Sequence, residues 1–168
     1  MRRLVFVLAA CAALAVPAAA IAVRDAGDGS LVVRNGAAPA DTPVVALRIT
    51  GSVIGWVADS GRIVIDAGPN PDSVPQVVGA GRPGDVKGSD TAQAWSGADF
   101  KFRAVGGTFT ILVYGSGVNI IAAGKGTVRL AGLPDTPRGD GMFSLNDADF
   151  RSLPGAQTKL LPIGGTSG

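Results

Sequence analysis

The sequence predicts an all-β protein, an antiparallel β-sandwich of jelly-roll type, on three observations. Short runs alternate apolar and polar residues, whereas no stretch after residue 22 keeps a 3.6-residue apolar period over the length of a helix. All 13 acidic residues are Asp, which favours turns and caps, and the helix former Glu is absent. The 25 Gly and 11 Pro fall mainly between the alternating runs, where turns need a positive or a fixed φ.

The runs can be taken in order. Residues 31–34 form a first strand. In 44–50, Val45, Leu47 and Ile49 point inward, while Ala46, Arg48 and Thr50 point to water. Residues 52–58 follow, then 62–67 with Ile63 and Ile65 inward. In 100–104, Phe100, Phe102 and Ala104 alternate with Lys101 and Arg103. In 108–114, Phe109, Ile111 and Val113 face inward, leaving Leu112 and Tyr114 outward. Residues 118–123 and 127–131 close this series, and 142–145 form a last strand. Short strands bounded by Gly, Pro and Asp at this spacing describe a sandwich or barrel.

The stretch GSVIGWVADSGRIVID (51–66) resembles GSGVNIIAAGKGTVRL (115–130) once Gly117 is skipped. Each opens on Gly-Ser, turns at a Gly-containing tripeptide and closes on an alternating strand. The first four strands thus match the next four in order, which predicts two related four-stranded halves stacked face to face about 10 Å apart. A chance likeness between Gly-rich segments is one alternative. A β-solenoid is another, although two units fall short of the three or more that solenoids need.

Residues 1–22 carry the pattern of a secretory signal peptide: Arg2 and Arg3, an apolar run from Leu4 to Val16, Pro17, then small residues. Two alternatives make the chain membrane-bound, lipidation of Cys11 in Leu8-Ala9-Ala10-Cys11 or an uncleaved anchor. The expected domain is single, 23–160, with a first half 31–67, a long loop 68–99, a second half 100–150, and a flexible tail 161–168. Export, to the cell envelope or exterior of a bacterium, is the expected destination.

Without Arg2 and Arg3, the 15 basic residues become 13, equal to the 13 acids. A neutral domain gives no electrostatic footprint for nucleic acid. Cys11 is the only cysteine, so no disulfide holds the exported domain. The chain has no His, which excludes Ser-His-Asp and Cys-His nucleophile systems and His-ligated metal. No cofactor is expected.

Most motifs are turns. Residues 79–84 match G-x-G-x-x-G, but Pro83 sits inside and no helix pattern follows. Gly124-Lys125-Gly126-Thr127 lacks the Ser or Thr that a phosphate loop places after its Lys. Arg138-Gly139-Asp140 spells an adhesive tripeptide in a loop, and a random occurrence of that triplet is far more common than an adhesive one. Asn146, Asp147 and Asp149 are a weak Ca²⁺ candidate without EF-hand spacing.

Trp56 and Trp95 are the candidate sugar-stacking platforms, each with core packing as its plainer role. With the Gly- and Pro-rich loop they give a candidate ligand set of Trp95, Trp56, Asp72, Arg82 and Asp85. The expected function is a non-catalytic domain, structural or binding a glycan or an envelope protein. A glycoside hydrolase using two Asp carboxylates, or a lipid or lipopolysaccharide carrier, are the alternatives.

Overall fold

The computed structural model of the chain describes residues 27–39, 41–69, 71, 73–133 and 141–165. The expected signal segment with Cys11, Asp72 and Arg138-Gly139-Asp140 lie outside these residues. Among the described residues 63% are in strands and none is in a helix, and the strands form one antiparallel sheet that is not closed.

The strands are β1 (Gly29–Asn35), β2 (Val45–Asp66), β3 (Gln76–Val78), β4 (Gly84–Asp85), β5 (Ala92–Gly115), β6 (Val118–Leu130), β7 (Gly141–Leu145), β8 (Arg151–Ser152) and β9 (Leu161–Ile163). Their hydrogen-bonded order is β3-β5-β2-β6-β1-β7-β8, with β4 also on β5 and β9 on β6. Every pairing is antiparallel, unlike the parallel stacking of solenoid coils.

Runs expected as separate strands are continuous. Residues 45–50, 52–58 and 62–66 of those runs belong to the 22-residue β2, and 100–104 and 108–114 to the 24-residue β5. The inward phase survives this fusion because of a bulge. Gly51 pairs with Gly107 and Ser52 with Val105, leaving Gly106 unpaired at φ +74°. That extra residue lets Phe102 and Ala104 on one side, and Phe109 and Ile111 on the other, face the same core.

Together β2 and β5 make a long ribbon that folds over on itself. Val113 of β5 pairs with Val45 on one side and with Ile63 on the other. Ile63 in turn pairs with Trp95, so the far limb of the ribbon (60–66 with 92–98) lies against the end of its near limb. Side chains from both limbs enter one core, including Leu47, Ile49, Ile63, Phe100, Phe102 and Phe109. β6 lies along the other side of β2, from Val45 opposite Leu130 to Val57 opposite Val118.

Close backbone approach fixes one corner of this arrangement. Gly51 (φ +151°) and Gly124 (φ +146°) face each other across the β2–β6 ladder. A side chain on Gly51 would collide with the Ala123 carbonyl, and one on Gly124 with the Thr50 carbonyl. Only Gly fits both the dihedral and the space.

Three expectations from the sequence change. The two halves do not form separate sheets; strands of one half pair with strands of the other. Residues 68–99 are not one loop, since β3 and β4 lie on the edges of β5, and β5 itself starts at Ala92. Residues 161–163 are not a loose tail. As β9 they pair with Gly126, Thr127 and Val128, and Ile163 is only 1% exposed in the core. Pro162 is tolerated because β9 is an edge strand.

Candidate functional site

Residues paired directly across a ladder project from the same face of the sheet. On the outer face this rule aligns one row: Met142 of β7, Arg34 of β1, Asn119 of β6, Trp56 of β2, Lys101 of β5 and Val78 of β3. Five inter-strand steps of about 4.8 Å give this row a length of about 24 Å. The next row places Ile121 beside Ile54, each at least half exposed.

Trp56 is the centre of this face. It is 42% exposed, and its indole Nε1 donates a 2.8 Å hydrogen bond to Oδ1 of Asp99. Asp99 can reach it because the ladder is irregular there. Val57 pairs with Phe100 and Ser60 with Ala98, so Ala58 and Asp59 oppose Asp99 alone. Asp99 takes a left-handed backbone, φ +52°, a conformation Asp adopts more readily than most residues. The bond fixes the ring's orientation while leaving an aromatic surface open to solvent.

Beside Trp56 lies an open cleft of about 990 Å³. Its lining includes Arg34, Asn119, Met142, Phe150, Arg151 and Ser152, with Gly36, Gly117 and Gly141 contributing no side chains. The Arg34 guanidinium lies 5.6 Å from the centroid of the Phe150 ring, a cation–π contact. Phe150 and Met142 are both nearly half exposed, so the cleft has apolar walls and a few polar groups.

Asn35 also borders the cleft and is buried to all but 6% of its surface. Among the described residues neither its Nδ2 nor its Oδ1 has a hydrogen-bond partner. An unpaired buried carboxamide costs on the order of 1–3 kcal/mol.

Of the five residues expected to bind ligand, the four that are described, Trp95, Trp56, Arg82 and Asp85, do not converge. Trp95 is 9% exposed and belongs to the core, opposite Ile63, where it walls a small cleft with Ile65, Thr91 and Gln93. Arg82 and Asp85 are exposed, and Asp85 pairs with Gln93 at the far end of β5 from Lys101, the neighbour of Trp56. The residues around Trp56 come from five strands, and no local pattern announces them. One signal was readable: Asn35 continues the inward phase of Leu31 and Val33, where a polar residue is out of place.

The Ca²⁺ candidate has other work. Asn146 and Asp147 form a left-handed turn after β7, at φ +52° and +60°. Asn146 Oδ1 accepts from the Gly164 N–H at 2.9 Å, and its Nδ2 donates to the Pro162 carbonyl at 3.2 Å. Asp147 Oδ1 accepts from the Ser30 hydroxyl at 2.8 Å, and that hydroxyl accepts from the Asp147 N–H at 3.0 Å. Among the described residues no group of three or more His, Cys, Asp or Glu is placed to hold a metal ion. The cluster is a latch that ties β7 to β1 and β9. Asn146→Gly keeps the backbone conformation and removes both side-chain bonds, so it is expected to lower stability in chemical denaturation by about 1–2 kcal/mol.

No family model, no curated protein and no solved structure matches the chain.

Proposed function

We propose that this chain is a non-catalytic binding module, exported from a bacterium, that holds a glycan across the Trp56 face. The observation that carries the reading is an indole fixed by Asp99 yet 42% open, set in a row of amide and cationic side chains. Aromatic faces pack against the C–H surfaces of sugar rings, and Asn119, Arg34 and Lys101 supply hydrogen bonds for the hydroxyls around them. The Trp56 face, rather than the 67–90 segment with Trp95, is the binding surface in this reading. Export rests on the pattern of residues 1–22, and the absence of His and of cysteines beyond Cys11 favours binding over nucleophilic catalysis. Asp99, the carboxylate on Trp56, is engaged by the indole N–H, which disfavours its use in a two-Asp hydrolase there.

The test is binding of the whole chain to an oligosaccharide array, followed by titration of the bound sugars. Trp56→Ala is expected to weaken binding at least tenfold, about 1.4 kcal/mol, with little change in melting temperature because the ring is half exposed. Trp95→Ala is expected to do the opposite, lowering stability by about 3–5 kcal/mol as a core truncation. An array without any bound sugar, or Trp56→Ala with unchanged affinity, defeats the proposal.

The fold itself we read as two related halves, interleaved, with the two limbs of the folded ribbon serving as the layers of a sandwich. Support comes from pairings that recur with the halves exchanged. Residues 31–34 pair with 119–122, and their counterparts 100–103 pair with 54–57. Residues 127–130 pair with 45–48, and their counterparts 62–65 pair with 111–114, two residues out of the exchanged register.

A further inference from the structure

We propose that the Trp56 face takes an amphipathic ligand: an uncharged sugar headgroup seated over the indole beside Asp99, joined to a hydrocarbon chain that lies along Ile54 and Ile121. The inference rests on the glycan reading above and narrows it to saccharides with a lipid-like tail.

The tail is argued from an exposed apolar strip. Trp56 and Ile54 are two residues apart in β2 and so share the outer face. Ile54 stands opposite Ile121, and Ile121 opposite Val32, which makes a row next to that of Trp56. Ile54 is 50% exposed, Ile121 57%, and Val32 is partly exposed. The row ends at Arg103 on one side and at Ser144 on the other, where the Ser144 hydroxyl donates to the Ala148 carbonyl. From Val32 to Ile54 is two inter-strand steps, about 10 Å, and the row lies about 7 Å from that of Trp56. One methyl on a sugar ring covers one such side chain. Covering Ile54, Ile121 and Val32 together takes a chain of several carbons, and the burial of that apolar surface favours binding.

The headgroup is argued from the opposite end of Trp56. There Asp99 accepts the indole N–H through Oδ1, and a carboxylate has about four acceptor sites, so it can take sugar hydroxyls as well. Asp59 adds a second carboxylate. Its Oδ2 lies 3.1 Å from the point where a side chain on Gly117 would begin, and Gly117 lines the cleft. Two carboxylates repel an anionic ring and accept strong hydrogen bonds from a hydroxylated one. A phospholipid would bring its phosphate against them and leave Asn119, the neighbour of Trp56, without hydroxyls to pair. The Ile54 row offers hydrocarbon instead, so the ligand has one direction: hydroxyls toward Asp99, tail toward Ile54.

The experiment measures binding of the whole chain to methyl and octyl β-glucoside and to methyl and octyl β-galactoside, each below its micelle-forming concentration. A fully buried methylene strengthens binding about fourfold, so about two of them suffice for a tenfold gain. At least one octyl glycoside is expected to bind tenfold or more tightly than its methyl twin. It should also bind more tightly than octyl tetraethylene glycol, which has the tail without the sugar. The octyl uronide of the same ring should bind several-fold more weakly. Ile54→Thr combined with Ile121→Thr should erase most of the tenfold gain at an unchanged melting temperature, since both side chains are at least half exposed. Asp99→Asn keeps an acceptor for the indole and should close the gap between uronide and neutral glycoside. Methyl and octyl twins bound equally, or a double variant that keeps the gain, overturn the tail and leave the glycan reading standing. A uronide bound as tightly as the neutral glycoside overturns the uncharged headgroup. Octyl tetraethylene glycol bound as tightly as the glycosides, or retention on phosphatidylcholine vesicles, makes the face a lipid surface site and overturns the inference. Absence of binding by every probe overturns it too, and together with an empty oligosaccharide array removes the glycan reading itself.

Discussion

Gly124→Ala is expected to lower stability by about 3–5 kcal/mol, combining left-handed strain with overpacking, each of order 1–3 kcal/mol. The added methyl meets backbone, the Thr50 carbonyl and Gly51, which cannot rotate away as a side chain could. Relief requires β2 and β6 to part where the sheet turns its corner, and the neighbouring ladder would be lost with it. Gly84→Ala is the matched control. Gly84 has no atom within 4 Å of an added Cβ, so its substitution should change stability by less than about 1 kcal/mol. Thermal and urea unfolding of the two variants check this. Equal melting temperatures would mean that the corner is not a close approach of two backbones.

The second large effect is expected at the C-terminal end. Ile163→Ala should lower stability by about 2–5 kcal/mol, as for truncation of a fully buried aliphatic side chain. The residue is 1% exposed, and β9 covers β6 alongside Gly126 and Val128. Leu160→Ala, one position before the strand, changes a residue that is 55% exposed and should stay within about 0.5 kcal/mol of the parent. The contrast separates a core strand from a tail, for which both substitutions would be neutral. Urea midpoints measured at constant slope decide it.

What could be read from the sequence was the inward phase. Val45, Leu47, Ile49, Ile63, Ile65, Phe109, Ile111 and Val113 were all placed inward by alternation, and all are buried. Alternation reports a single strand and is blind to its neighbours. It could not show that β2 runs unbroken through Gly51 and Gly61, because Gly can mark a turn between strands or a bend within one. Nor could it show that Val113 sits between Val45 and Ile63, since that depends on how the ribbon coils. β9 was missed for a different reason: three residues, one of them Pro, carry no period. The Trp56 face shares the first difficulty. Its row draws one residue from each of several strands, so it exists only once the register does. Trp95 misled because it follows the Pro- and Gly-rich stretch, yet β5 has already begun at Ala92 and turns its indole inward.

One consequence of the interleaving concerns the order in which the polypeptide is made. Among the described residues, β1 pairs only with β6 and β7, β2 only with β5 and β6, and β3 and β4 only with β5. A nascent chain emerging from its N-terminal end therefore has no native ladder to form until β5 has left the ribosome. Early collapse into a stable intermediate is denied by topology alone, and folding must await contacts between residues far apart in the chain. Such a polypeptide stays threadable late into its synthesis, the condition that passage through a narrow translocation channel would demand.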